Sequence, residues 1–222
     1  MCGRFTLTTN PEQLRAALFG FTIPEELEPR YNIAPSQPVA VIPNDGKNQL
    51  DFFVWGLVPS WAKDPAIGNK MINARAETLS EKPSFRSAFR RRRCLIPADG
   101  FFEWRQEPGA KRKTPMYIRL KSSQPFAFAG LWELWSSPDG SKILSCAIIT
   151  TQPNSLIQDI HNRMPVILPE EAYKAWLEPG EVKTEALQAL LAPYPADLMA
   201  AFPVSTLVND PANNDPRCIA AV

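Results

Sequence analysis

The sequence predicts an α+β fold with a mostly antiparallel, barrel-like β-sheet core flanked by helices. Three features carry this expectation. There are 23 prolines in 222 residues, about twice the usual share, which disfavours a helical bundle and favours strands joined by rigid loops. Short strand-like apolar runs follow one another through the middle of the chain. Helical patterns gather at the beginning and in the last third, without the regular strand–helix alternation of a parallel α/β sheet.

The elements read in order as follows. Asn10 can cap a first helix, Pro11 suits its first turn, Leu14, Ala17 and Leu18 supply its apolar stripe, and Gly20 ends it. Strand-like runs lie at 39–42, 50–57, 115–120, 126–131, 143–150 and 164–168. From 71 to 89 the pattern is short-range and partly helical, interrupted by Pro83. Later helices are expected at 169–177, where Pro169 and Glu170 suit a first turn, and at 182–191. With no repeat and no long low-complexity linker, residues 1–222 read as a single domain. A chain of this length buries roughly 70% of its unfolded surface.

Composition narrows the functional classes. Hydrophobic residues make up 45% and charged ones 21%, a globular balance. No apolar run approaches the ~18–20 residues of a membrane span, and Met1-Cys2-Gly3-Arg4-Phe5 lacks a signal-peptide hydrophobic region. Cysteines at 2, 94, 146 and 218 are too scattered for a disulfide framework or a paired-cysteine zinc site. A soluble, intracellular chain is expected. The net charge of +1 divides unevenly, +6 through Leu120 and −5 beyond it, which hints at a polyanion-facing side. The run Arg90-Arg91-Arg92-Arg93 reads by composition alone as a solvated loop.

Several residues could carry chemistry. Removal of Met1 would give Cys2 a free α-amine with a pKa near ~7.7–8.0, beside a thiol that starts near ~8.5 and drops next to cations such as Arg4. This 1,2-aminothiol condenses with an aldehyde to an imine and then closes to a thiazolidine. The competing reading is an inert packing cysteine. His161, the one histidine, is either structural or a proton carrier near neutral pH, and it cannot belong to a multi-histidine metal site. Glu103 lies among aromatics in Asp99-Gly100-Phe101-Phe102-Glu103-Trp104; buried, it would have a raised pKa, and on an edge strand it would face water. In an extended Asn73-Ala74-Arg75-Ala76-Glu77, Asn73 and Arg75 share a side, and Glu77 could join them. Asn73 could donate to a sugar oxygen and Arg75 could fork onto a phosphate, or the segment could be a salt-bridged surface turn. Trp61 could stack on a base, whereas Trp55 and Trp104 suit core packing. Glycine-rich phosphate loops and the G-x-S-x-G elbow are absent from the sequence.

Six segments together carry a resemblance: Cys2-Gly3-Arg4-Phe5, Tyr31-Asn32-Ile33-Ala34-Pro35, Trp55-Gly56-Leu57-Val58-Pro59-Ser60-Trp61, Ile72-Asn73-Ala74-Arg75-Ala76-Glu77, Ala98-Asp99-Gly100-Phe101-Phe102-Glu103-Trp104 and His161-Asn162-Arg163-Met164-Pro165. In order and spacing the chain resembles the SOS response-associated peptidase (SRAP) family from Cys2 to about Leu168, more loosely beyond. The resemblance implies an abasic-site sensor on single-stranded DNA that crosslinks itself to the ring-opened deoxyribose. Cys2 would be the nucleophile and form the thiazolidine. Asn73 would orient the opened sugar, Glu103 assist ring opening and closure, and His161 carry protons for imine chemistry and reversal. Arg4, Arg75 and Arg163 would hold flanking phosphates, while Pro35 and Trp61 would pack against bases. Some relatives have a second tryptophan where Ala62 stands here. A monomeric, cytoplasmic, DNA-associated protein is expected, with no cofactor, metal or membrane partner. An N-terminal-nucleophile cysteine peptidase or amidohydrolase using the same Cys2 is the alternative.

Overall fold

A computed structural model describes residues 2–222. Its strands in chain order are β1 (Phe5–Leu7), β2 (Arg30–Ile33), β3 (Pro38–Pro43), β4 (Asp51–Trp55), β5 (Asn73–Arg75), β6 (Arg93–Ala98) and β7 (Gly100–Arg105). There follow β8 (Thr114–Leu120), β9 (Phe126–Ser136), β10 (Lys142–Thr151), β11 (Met164–Pro165), β12 (Ile167–Leu168) and β13 (Met199–Pro203). The α-helices are short: α1 (Pro11–Ala17), α2 (Arg86–Arg91), α3 (Tyr173–Trp176) and α4 (Thr184–Gln188).

The strands form two sheets. One runs β13-β8-β7-β1-β2; the other runs β11-β10-β4-β3-β6-β9-β12, and pairing of β10 with β9 closes it into a barrel of β10, β4, β3, β6 and β9. Neighbours are antiparallel except where β10 meets β4 and β5. The expected α+β class with a mostly antiparallel, barrel-like core is therefore what the chain adopts. β9 makes closure possible, since its first half lies against β6 and its second against β10. Gly130 falls at the changeover, where a Cβ would stand 2.8 Å from Cys94 Sγ and from Ile96 Cδ1. Only a residue without a side chain lets the strands approach this closely.

Local signals placed some elements well. Asn10 caps α1 by accepting from the Gln13 amide at 2.9 Å, with Pro11 at the first turn. Other expectations need correction. The single run expected at 164–168 is two strands, because Val166 donates to Ile149 and accepts from Ala129, so the chain crosses from β10 to β9 there. The helix expected at 169–177 is a 3₁₀ turn, Glu170–Ala172, followed by α3, and the one at 182–191 shrinks to α4.

The basic run is not a solvated loop. It ends α2 and begins β6, and Arg93 is fully buried. The Arg93 guanidinium donates to the carbonyls of Trp176 at 2.9 Å, Phe89 at 3.2 Å, Arg90 at 2.7 Å and Glu178. Arg92 pairs with Glu133, and Arg90 and Arg91 both pair with Glu181. The run is thus tied into the fold, with Arg90 and Arg91 sharing one carboxylate and remaining more than half exposed. Among the described residues no helix is long and apolar enough to cross a membrane.

Candidate functional site

The site is assembled around the start of β1, which lies between β2 and β7. Phe5 meets Trp55 and Phe128 edge-on, at centroid distances of 5.2 and 5.8 Å, and so ties the open sheet to the barrel. Asp99 fastens the other end of β1, accepting from Thr6 Oγ1 at 2.5 Å, the Thr8 amide at 2.5 Å and the Thr9 amide at 2.8 Å. Cys2 is thereby held in the interior at 0% exposure.

Asn73, on β5, donates from Nδ2 to the Cys2 carbonyl at 2.8 Å. A carbonyl only accepts, so this contact fixes which way the amide points. One of the two Asn73 Nδ2 hydrogens is thus engaged by the protein, and Oδ1 is buried without a partner. Asn73 keeps an unused acceptor in Oδ1 as well as the second hydrogen of its Nδ2. A ligand hydroxyl has the complementary chemistry.

Glu103 stands on β7 opposite Met116 and is 2% exposed, which excludes the water-facing alternative. Burial pushes its carboxyl up to about 7, so protonated and ionised forms are balanced near neutrality. The Cys2 thiol is pushed above its ordinary value, first by burial and then by the Glu103 charge, which shows that the two groups share one field. Arg4 does not draw this thiol down as expected. Its guanidinium turns to Asn32 Oδ1 at 2.7 Å and the Val208 carbonyl at 2.6 Å, and lies 5.9 Å from the centroid of Trp104.

His161 precedes β11. Its Nδ1 lies 3.0 Å from the Arg163 amide nitrogen, which donates to it, and 3.3 Å from the Arg163 carbonyl oxygen. Burial lowers its pKa, and nearby positive charge, Lys113 and Arg163 included, acts in the same direction. Lys113 also bears on Glu103. Among the described residues no group of acidic, cysteine or histidine side chains could hold a metal.

The residues named for nucleic-acid contact lie at several depths. Arg75 is exposed on β5, and Trp61 is 58% exposed on the turn after β4. Ala62 beside it is buried and its carbonyl accepts from Trp135 Nε1 at 2.7 Å. The turn closes where Gly56, at φ +140°, meets Gly68; a Cβ on Gly56 would lie 2.7 Å from the Gly68 oxygen. Pro35 is half-buried, next to Ser36, whose hydroxyl reaches Asn69 at 2.9 Å. Arg163 already holds Glu77 through both its terminal nitrogens, at 2.6 and 2.9 Å, and the Thr150 carbonyl at 2.6 Å. Glu77 therefore bridges to Arg163, whereas the sequence pointed to Asn73 and Arg75.

Two participants escaped the sequence reading. Asn32, 2% exposed, receives Arg4 and contacts the carbonyls of Asp210 and Asn213 at 2.9 and 2.8 Å. A polar residue between apolar neighbours in Tyr31-Asn32-Ile33 was the available signal. Lys113 carried none, since its relevance comes from the β7–β8 hairpin. Met1, whose removal the aminothiol chemistry requires, lies outside the described residues.

The structure thus brings together a buried cysteine whose carbonyl is held by Asn73, a carboxyl that burial pushes up to about 7 and an imidazole bonded to the Arg163 backbone. The family model for "SOS response associated peptidase (SRAP)" matches residues 1–211, and the chain belongs to this family. It is 55% identical over 226 residues to the abasic site processing protein YoqW of Bacillus subtilis (strain 168), with 99% of each chain covered. It is 33% identical over 235 residues to the abasic site processing protein HMCES of Rattus norvegicus, covering 89% of this chain and 66% of that protein. Among solved structures, a protein from Bacteroides thetaiotaomicron matches with a TM-score of 0.89 at 29% identity over 100% of both chains.

Proposed function

We propose that this protein processes abasic sites in single-stranded DNA by capturing the ring-opened sugar as a thiazolidine on Cys2 after Met1 is removed. The observation that carries the reading is the meeting of Cys2 with Asn73, which pins its carbonyl, and with Glu103, whose charge bears on its thiol.

The chemistry follows from these groups. An abasic sugar is mostly a closed hemiacetal, and a carboxyl balanced near neutrality is suited to moving the proton that opens it. The freed α-amine of Cys2 adds to the C1′ aldehyde and expels water, giving an imine. The thiol then adds to the imine carbon: a C–S bond forms, the C=N becomes a single bond, and the thiol proton passes to nitrogen. The ring removes the imine that would otherwise lead to β-elimination and strand breakage. Asn73 Oδ1 accepts from a hydroxyl of the opened sugar, and His161 carries protons for the same chemistry. Arg4, Arg75 and Arg163 serve the flanking phosphates, Arg75 being the most exposed, while Pro35 and Trp61 pack against bases.

Relatives named abasic site processing proteins favour this reading over a cysteine hydrolase. Intact-mass spectrometry before and after exposure to an abasic oligonucleotide tests it. A mass lacking Met1, and then raised by one oligonucleotide less one water, is expected. A retained Met1 or no covalent gain overturns it.

A further inference from the structure

Two basic clusters stand out in the chain, and the structure treats them oppositely. Each of the four arginines at 90–93 has a protein partner, Glu181 for Arg90 and Arg91, Glu133 for Arg92 and buried carbonyls for Arg93. Lys111, Arg112 and Lys113, in the β7–β8 connection, are all exposed. Glu107, the acidic residue nearest to them in sequence, is paired with Arg105.

The connection is shaped to display them. The last strand pair is Arg105 with Thr114. Past it the Ala110 amide donates to the Glu107 carbonyl at 3.1 Å, and Gln106 Nε2 donates to the Ala110 carbonyl at 2.9 Å. These bonds close residues 106–110 into a turn and leave 111–113 as the return limb. Lys113 lies three residues before Met116, the partner of Glu103, or ~10 Å along the strand. Its charge bears on both Glu103 and His161.

We propose that Lys111, Arg112 and Lys113 form a phosphate-binding limb that grips the DNA backbone beside the captured sugar. The inference rests on the abasic-site reading and adds a contact surface to it. Three unneutralised cations on a closed turn fit a polyanion, and this limb accounts for part of the positive charge of the first 120 residues.

The test uses the full chain and two single-stranded oligonucleotides, one with every base present and one abasic. Affinity for the first is read by fluorescence anisotropy against salt, and adduct with the second by denaturing gel. The K111Q/R112Q/K113Q variant is expected to bind the intact strand about tenfold more weakly, with a log–log salt slope shallower by about 2 for three lost phosphate contacts. The melting temperature of the variant against that of wild type reports on folding. Unchanged affinity and slope in the triple variant, with wild type still capturing the abasic strand, overturns the limb and leaves the function standing. Wild-type protein that binds the intact strand with the expected salt dependence but captures no abasic strand overturns the function instead. Wild type that neither binds nor captures overturns both.

Discussion

Glu77 grips Arg163 through both carboxylate oxygens, at 2.6 and 2.9 Å, and this pair joins the segment that bears Asn73 to the one that bears His161. Glu77 follows Asn73 by four residues, and the Arg163 amide is the donor to His161 Nδ1. The pair is half-exposed on the Glu77 side, so its worth to stability is about 1 kcal/mol. Its larger effect is predicted on geometry. E77Q should melt a few degrees lower and form adduct several-fold more slowly in single turnover. R163K, which keeps the charge and loses the fork, should do the same. Wild-type rates in both variants would show that the bridge positions nothing.

The Glu103 carboxyl yields a pH prediction. Its folded pKa of about 7 stands above the ordinary 4.5, so the group stabilises the fold when protonated, and that contribution is lost as pH rises from 4.5 through 7. E103Q removes the cost of burying a charge. Relative to wild type it is expected to gain stability across that window, by about 3 kcal/mol at pH 8, while crosslinking slows more than binding does. Urea unfolding at pH 4 and pH 8 measures the first effect. A wild-type–variant difference that does not change with pH would refute it.

Replacing Cys2 by serine separates the two halves of the capture chemistry. C2S keeps the amine and loses the sulfur, so it should form an imine that survives denaturation only after borohydride reduction. Equal adduct without reductant defeats the thiazolidine.

Asn73→Asp sets a carboxylate against the Cys2 carbonyl where a donor stood. Loss of a buried hydrogen bond with repulsion in its place is expected to cost about 1–3 kcal/mol and to slow adduct formation at least tenfold. A single-turnover time course at saturating DNA decides this, and an unchanged rate counts against Asn73 as the holder of Cys2.

Arg93→Met tests the structural role of the basic run. Four carbonyl partners lose their donor, so destabilisation of about 3–5 kcal/mol is expected. The salt slope of DNA binding, read at a temperature where the variant is folded, should stay at the wild-type value. A shallower slope would place Arg93 among the phosphate contacts.

What the sequence revealed depended on how local each signal was. Asn10 and Pro11 mark α1 because a cap and a first turn are made within a few residues. The long strands β8, β9 and β10 betray themselves by apolar runs. β1 and β5 have three residues each and no periodicity to detect; they exist because Phe5 pairs with Ile33 and Phe101, and Asn73 with Ile148. At the site, residue types singled out Cys2, Asn73, Glu103 and His161, but the partner of each side chain required the fold. That Asn73 gives its donor to Cys2, that Arg4 faces Asn32, and that Glu77 chooses Arg163 are all contacts between distant segments.

Asn32 ties the two extremities of the polypeptide together, holding Arg4 on one side and the carbonyls of Asp210 and Asn213 on the other. Without the segment that follows residue 207, Arg4 would keep Asn32 and Trp104 but lose the Val208 carbonyl, and Asn32 would lose the acceptors of its amide. The reactive end is therefore braced by a segment 204 positions away, and trimming that segment would loosen it.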